Sequence, residues 1–504
     1  MPHCRTLALT VLCALLPVPA GAQAVDDGPC GIPPPPAPKR IKGGEGVPPL
    51  PLPATPLRRS ERKRDPAPPV LIGKLMWGKQ RTMTLEDGRT IEYADWNLDP
   101  NDRRILDEIA PRALGIKYRM IPIDPGAFSF DPVQIPFLYV SGVRAVSFAP
   151  DIRAKMRAFC EQGGFIYADA CRGSRVFADA MRQELRAIFP DRTLRVLPPD
   201  HPLFSAHRLV NRLQYSPAVG DRPDGAPFFE GVDIGCRTVA ILSKYGLSCA
   251  WDSDHVRAGS QIVVGEDART MGLNLISYAL GTFELGRFYA QGGLSEPIAA
   301  VAGGDFVFAQ IIHEGHADPD PSAYARLLEY VMANTSVGLK FARRRIAADD
   351  EALGSYPFLY ITGHYDFSLS EAAVGRLRQH LSSGGFLLAD ACCGSLAFDG
   401  AFRREMRRVF PDAPLGGIPA GHPLMSALFR LDTAELTPKA RAAFGDLAAP
   451  HLEGIERDGV LCVVYSPLDL GNGWEGIAHP YARGYESSCA LRIGVNAVVY
   501  ALSH

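Results

Sequence analysis

Short apolar runs alternate along this chain with stretches whose apolar positions recur at helical spacing, and the whole sequence of elements occurs twice. The run Val70 to Trp77 predicts a buried strand. Asp99-Pro100-Asn101 predicts a turn and helix start with Asn101 as cap, and Pro136-Phe-Leu-Tyr-Val predicts a second strand leading to Gly142. A helix then ends at Gly163-Gly164, and a third strand runs into Asp169 and Cys171. Phe177, Met181, Leu185 and Ile188 mark one face of the following helix. The order returns with Phe306 to His313, Asp320-Pro321-Ser322 with Ser322 as cap, Pro357-Phe-Leu-Tyr-Ile before Gly363, the Gly384-Gly385 pair, and the helix face Phe398, Phe402, Met406 and Val409.

The two halves are also alike residue by residue. GGFIYADACRGS spans Gly163 to Ser174 and GGFLLADACCGS spans Gly384 to Ser395. Cys171 and Cys392, Glu184 and Glu405, and His201 and His422 are each 221 positions apart, so the segment is duplicated without insertion. Arg237 to Ser243 matches Val460 to Ser466, Trp251 matches Trp474, and GLNLISYAL from Gly272 matches GVNAVVYAL from Gly494. Strands alternating with helices of this length imply two tandem α/β domains, each a doubly wound, mainly parallel sheet covered on both faces. The expected boundaries are residues 70–291 and 305–504.

A chain of 504 residues with 47% hydrophobic residues can build two such cores. Ahead of them, Arg5, the apolar stretch Leu7 to Leu16 and the small residues Ala20-Gly21-Ala22 predict an export signal over residues 1–22, too short to span a bilayer. Thirteen prolines between Gly31 and Val70 make residues 23–69 an extended tether rather than a domain. The protein is therefore expected outside the cytoplasm, periplasmic or extracellular, with no transmembrane segment. A formal net charge of −2 argues against wrapping nucleic acid, which needs an excess of Lys and Arg. Nine cysteines follow the signal, an odd number that cannot all pair internally, and Cys236 with Cys249 could close a short loop.

Ligands of open α/β sheets collect beyond the carboxyl ends of the strands. In the second unit that region holds Gly363 and His364, then Asp390, Cys392, Gly394 and Ser395; in the first, Gly142, Asp169 and Cys171. A cysteine where a strand turns into a helix meets free N–H groups that favour a thiolate, so Cys392 is the candidate nucleophile, with His364 or His422 as base. The nearby carboxylate of Asp390 opposes that chemistry by raising a thiol pKa. His201 corresponds to His422, whereas His364 faces only Val143, which makes the second unit the competent copy. Asp469, Trp474 and Glu475 in DLGNGWEG form a Gly-rich loop suited to a polar ligand such as a sugar, although Trp474 can equally anchor the core. His313 and His316 have metal-compatible spacing without a third ligand, so neither metal nor cofactor is assigned.

YPFLYITGH, GGFLLADACCGS, FDGAFRREMRRVFPD, IPAGHPL, YSPLDLGNGWEG and IGVNAVVYAL together resemble the bacterial family called domain of unknown function 4159, across nearly all of the second unit and more loosely across the first. That family is similar in fold to class I glutamine amidotransferases, a flavodoxin-like arrangement. The resemblance places Cys392 and Cys171 at the nucleophile position and Gly363 and Gly142 in the neighbouring loop. It also shows two departures: Asp390 and Asp169 stand where the amidotransferase elbow has glycine, and His479-Pro480 is followed by Tyr481 rather than an acid. The expected function is thus a binding module whose strand-end pocket takes a polar envelope ligand, a saccharide or peptide. The alternatives are a cysteine-dependent amide or ester hydrolase using Cys392, or a structural part of an envelope assembly. No oligomeric state is assigned.

Overall fold

The computed structural model describes residues 69–85, 87–222, 224–252, 258–293, 306–335 and 341–504; the expected export signal, and the Pro-rich tether up to residue 68, lie outside them. The first unit has strands β1 (Val70–Leu75), β2 (Gln80–Thr84), β3 (Thr90–Ala94), β4 (Tyr118–Ile123), β5 (Phe137–Gly142), β6 (Phe165–Ala170), β7 (Arg195–Val196), β8 (Glu230–Ile234) and β9 (Arg237–Ser243). The second has β10 (Phe306–Ile312), β11 (Phe341–Ala347), β12 (Phe358–Gly363), β13 (Phe386–Ala391), β14 (Gly416–Gly417), β15 (Glu453–Arg457) and β16 (Val460–Ser466). The sheet orders β4-β1-β5-β6-β9-β8-β7 and β11-β10-β12-β13-β16-β15-β14 correspond strand for strand. The first five strands of each are parallel, and the last two close the edge as antiparallel neighbours. Strands β2 and β3 form a separate hairpin in the first unit.

Every residue of β5, β6, β12 and β13 is buried, as expected for central strands covered on both sides. On one face lie the helices Pro150–Glu161 and Arg175–Ile188, with Glu371–Ser382 and Leu396–Val409 as their counterparts. On the other lie the long apolar helices Gly265–Gly281 and Ser487–Ser503. The connecting glycines serve packing: a Cβ on Gly385 would stand 2.1 Å from the His380 ring, and one on Gly164 would stand 2.3 Å from that of Phe159.

Several local expectations change in three dimensions. Edge strand β11 escapes sequence detection because its FARRRIA sequence is cationic, and it has only one strand neighbour to satisfy; Arg343 folds back onto Gln310 and Asp318. Ser322 does not cap its helix, since its hydroxyl donates to Glu475 at 2.8 Å. Glu184 and Glu405, matched acids of the repeat, are buried. The first accepts from Arg153 at 2.7 and 2.8 Å and from the Phe148 N–H, the second from Arg404, Arg408 and the Leu369 N–H, so each ties two helices together.

The repeat extends to a buried asparagine on each long helix. Asn496 accepts from the N–H groups of Leu428 and Phe429 and donates to the carbonyls of Leu424 and Phe429; Asn274 does the same for the loop at His207 and Arg208. Removing one such side chain orphans several backbone groups. Asn496→Ala is expected to cost on the order of 3 kcal/mol in urea denaturation, and a loss below about 1 kcal/mol would show that the loop finds other partners.

Candidate metal centre

At the carboxyl end of β13 the chain leaves the sheet through Cys392, Cys393 and Gly394 and enters the helix Leu396–Val409. Cys393 sits at φ 55° and ψ 10°, a left-handed conformation costing a non-glycine residue on the order of 1 kcal/mol. Arg172 takes the same conformation at φ 57° and ψ 13° in the other copy. The turn therefore belongs to the fold, and only the side chain it presents differs.

Comparing the copies separates frame from site. Asp390 accepts from Tyr360 and from the N–H groups of Leu470 and Gly471, as Asp169 accepts from Tyr167 and those of Leu247 and Ser248; both hold the loop after the neighbouring strand. Ser395 and Ser174 cap their helices and donate to the carbonyls of His364 and Val143. Trp474 and Trp251 are buried core anchors, their indole N–H groups bound to the Ala490 and Ala268 carbonyls, which is the second of the two roles expected for Trp474. Glu475 is likewise buried, under Ser322 and Tyr289. Gly363 and Gly142 admit the rings of His313 and Trp77. His313 is in fact the counterpart of Trp77: each ring nitrogen bonds the carbonyl one residue before that glycine, Thr362 at 2.9 Å and Ser141 at 3.0 Å. His313 is therefore structural.

What remains is particular to one copy. Cys393 replaces Arg172, His364 replaces Val143 and Asp469 replaces Gly246. Cys236, at the tip of the β8–β9 turn of the first unit, has glycine, Gly459, as its counterpart. These residues meet. Cys236 Sγ lies 3.2 Å from His364 Nε2, 3.2 Å from Cys392 Sγ and 2.8 Å from Cys393 Sγ, and all four donor atoms lie within 4.8 Å of one another. Three sulfurs and one imidazole nitrogen are a Cys3His donor set, the composition of tetrahedral zinc sites. Zn–S bonds of about 2.3 Å place sulfurs about 3.8 Å apart, so outward movements of about 1 Å or less open this set around an ion. All three cysteines are free thiols, and so is Cys249, which lies 3.6 Å from Cys171 and is not bonded to Cys236.

Groups behind the donors orient them. With Nε2 of His364 as the ligand atom, its Nδ1–H points at Nδ1 of His316, 3.1 Å away, and burial pushes His316 down to about 3, which keeps it neutral. Asp233 lies 3.8 Å from His316 and accepts from Tyr365 at 2.7 Å and Thr238 at 2.5 Å. His316 thus stands where a ligating imidazole usually finds an acceptor for its second ring N–H, with Asp233 nearby but beyond hydrogen-bond distance. Burial opposes a thiolate at Cys393, but hydrogen bonds from Cys236, Cys392 and His364 hold this thiol well below the ordinary range. Cys236 and Cys392 are held well above it, mainly by burial. His479 lies 3.9 Å from Cys393 and donates from Nε2 to the Cys236 carbonyl at 3.1 Å, while its Nδ1 accepts from the Tyr481 N–H.

A cleft of about 500 Å³ between the domains opens onto Cys236, His364 and Cys393. Its walls include Asp200, His201, Lys439, Tyr481 and Arg483. Cys392 is sealed beneath, and Asp390 is fully buried. His422 is not brought to the site at all; it packs against Tyr500 and lies 3.5 Å from Glu456. His201, by contrast, reaches the cleft wall, held by Thr238 at 3.0 Å. The N–H groups that an oxyanion hole would need are taken: Asp469 accepts from the Cys393 N–H, Asp200 from that of Leu396, and Ser395 from that of Phe398. The first unit's own strand end is filled by Leu98, Val143 and Tyr93 around Cys171.

The model of a family described as a domain of unknown function (DUF4159) matches residues 89–280 and again residues 307–502. No curated protein matches the chain. No helix among the described residues is long and apolar enough to cross a membrane.

The buried acid Glu475 sets a pH dependence. Burial pushes it up to about 7 from 4.5, despite bonds from Ser322 and Tyr289. Between those values the folded protein holds a proton that the unfolded chain releases, so its contribution to stability is complete below about pH 4.5 and lost as pH rises through about 7. In metal-free, reduced protein, Glu475→Gln is expected to flatten this fall by on the order of 3 kcal/mol in urea denaturation series across that range. Parallel curves for the two proteins would contradict it.

Proposed function

The chain belongs to the DUF4159 family as two tandem copies, and from that premise we propose that it is a metal-binding module in which Cys236, His364, Cys392 and Cys393 hold a thiophilic divalent ion of the zinc class between the domains. The observation that carries this reading is the convergence of four soft donors from three separate chain segments, each of the informative ones departing from its counterpart in the other copy. The ion would face the interdomain cleft through Cys236, His364 and Cys393, and a ligand entering there would meet aromatic walls and the charges of Asp200, Lys439 and Arg483. A polar envelope saccharide or peptide suits such a lining. Export would place this module in the cell envelope.

A second reading, a thiol nucleophile, is favoured by one observation: Cys393 combines a low thiol pKa with access to the cleft. Against it stands the use of the surrounding N–H groups by Asp469, Asp200 and Ser395.

Titration of reduced, metal-free protein with Co(II) tests both. Binding through the cysteines is expected to give thiolate-to-cobalt charge-transfer absorption, displaced by Zn(II). Cys236→Ser is expected to weaken binding at least about 100-fold, and His316→Ala about 10-fold by releasing His364. Absence of the charge-transfer band would overturn the metal reading. Rapid, selective alkylation of Cys393 by iodoacetamide in that same protein would favour the nucleophile instead.

A further inference from the structure

Beneath the Cys3His set, the second copy lacks hydrogen-bond donors that the first copy has. In the first copy Asp99 accepts from the Ser248 hydroxyl at 2.6 Å and the Cys171 thiol at 3.2 Å, and the buried Lys74 ammonium lies 3.3 Å from the Asp99 carbonyl and 2.6 Å from Asp102. In the second copy Ser248 becomes Gly471, Lys74 becomes Gln310 and Gly246 becomes Asp469. The donor hydroxyl is absent, the Lys74–Asp102 ion pair is absent because Ala323 stands at the place of Asp102, and the Asp469 carboxylate is present.

The consequence falls on Asp320, the counterpart of Asp99. It is 6% exposed, and among the described residues its Oδ1 has no hydrogen-bond partner and its Oδ2 accepts only the Cys392 thiol, at 3.3 Å. Gly471 admits this carboxylate so closely that a Cβ there would stand 2.3 Å from Oδ2. Donor atoms of Asp320, Cys392 and Asp469 lie within 4.8 Å of one another. A second buried group points the same way: the Asn472 amide donates to Asp469 at 2.6 Å and contacts the Cys236 and Cys393 sulfurs, and its own Oδ1 has no partner. An unsatisfied acceptor at this depth is costly, and a cation held by Asp320 would satisfy it.

Loading the first site sharpens the demand. When Cys392 gives up its proton to ligate an ion, the S–H that serves Asp320 disappears, leaving carboxylate against thiolate. We propose that Asp320, Asp469 and the Cys392 sulfur hold a second divalent cation, with Cys392 bridging it to the ion of the Cys3His set. This rests on the metal-binding function proposed above. Two carboxylates make the lower site harder in donor character than the upper one, so the pair takes a zinc-class ion above and a zinc-class or oxygen-preferring divalent ion below. The released proton of Cys392 leaves to solvent as the ions bind.

Reduced, metal-free protein loaded with Zn(II), freed of excess ion and examined by native mass spectrometry and elemental analysis should carry two ions per chain. Asp320→Asn and, separately, Asp469→Asn should carry one and retain the thiolate charge-transfer band with Co(II), with circular dichroism verifying that each is folded. One ion in the wild-type protein, or two in either folded variant, would overturn the bridged pair while leaving the Cys3His site standing. No ion in the wild-type protein would overturn both.

Discussion

A buried carboxylate at the end of a central strand organises each domain. Asp390 draws the N–H groups of Leu470 and Gly471 over the end of β13, and Asp169 does the same with Leu247 and Ser248 over β6. Because these bonds form in the interior, they are strong and leave the loop a single position. That position brings Asp469 and Asn472 beside Cys393, and in the other copy it brings Ser248 beside Asp99. The aspartate two residues before each cysteine, which from sequence looks like an obstacle to thiol chemistry, is first of all the clamp that builds the strand end.

Duplication provided two identical clamps and let their surroundings diverge. In the first copy Lys74 and Ser248 donate to Asp99 or its neighbours, and an apolar plug at Leu98 fills much of the strand end. The second copy has Cys393, His364 and Asp469 there, without the Ser248 hydroxyl or the Lys74–Asp102 pair. Yet the first copy is more than a degenerate partner, because the tip of its antiparallel edge hairpin delivers Cys236 to the other copy's strand end. Its Asp233 and Asp200 support that seam through Tyr365, Arg483 and the Leu396 N–H. The domains are therefore unequal in role, one supplying most of the donors and the other supplying a fourth donor and a wall of the cleft.

Several candidate residues change meaning once this division is seen. Trp474, Ser395, Gly363 and Asp390 have counterparts in corresponding roles in the first domain, which marks them as frame. His313 substitutes for Trp77 and keeps its hydrogen bond, so its spacing from His316 is incidental to metal binding. Departures from the repeat carry the chemistry, and three of them, Cys236 against Gly459, Cys393 against Arg172 and His364 against Val143, are visible by aligning the two halves.

Hydrophobic periodicity and the duplicated phrase determined two tandem, mainly parallel α/β domains and located the strand-end loops at His364, Asp390 to Ser395 and Asp469. Those signals are local: strand and helix periods, turn residues and capping groups are written within a few positions of where they act. Edge strand β11 and the buried pairing of Glu405 with its arginines escaped, since neither depends on a local period. The donor set was decided only by tertiary structure. Cys236 is 128 positions from His364 and 156 from Cys392, in another domain, and no spacing rule connects residues that meet solely because two sheets pack edge hairpin to strand end. Likewise, His201 came to the cleft and His422 went elsewhere, although both stand in the same phrase. The packing of the domains, which sequence periodicity does not encode, chose between them.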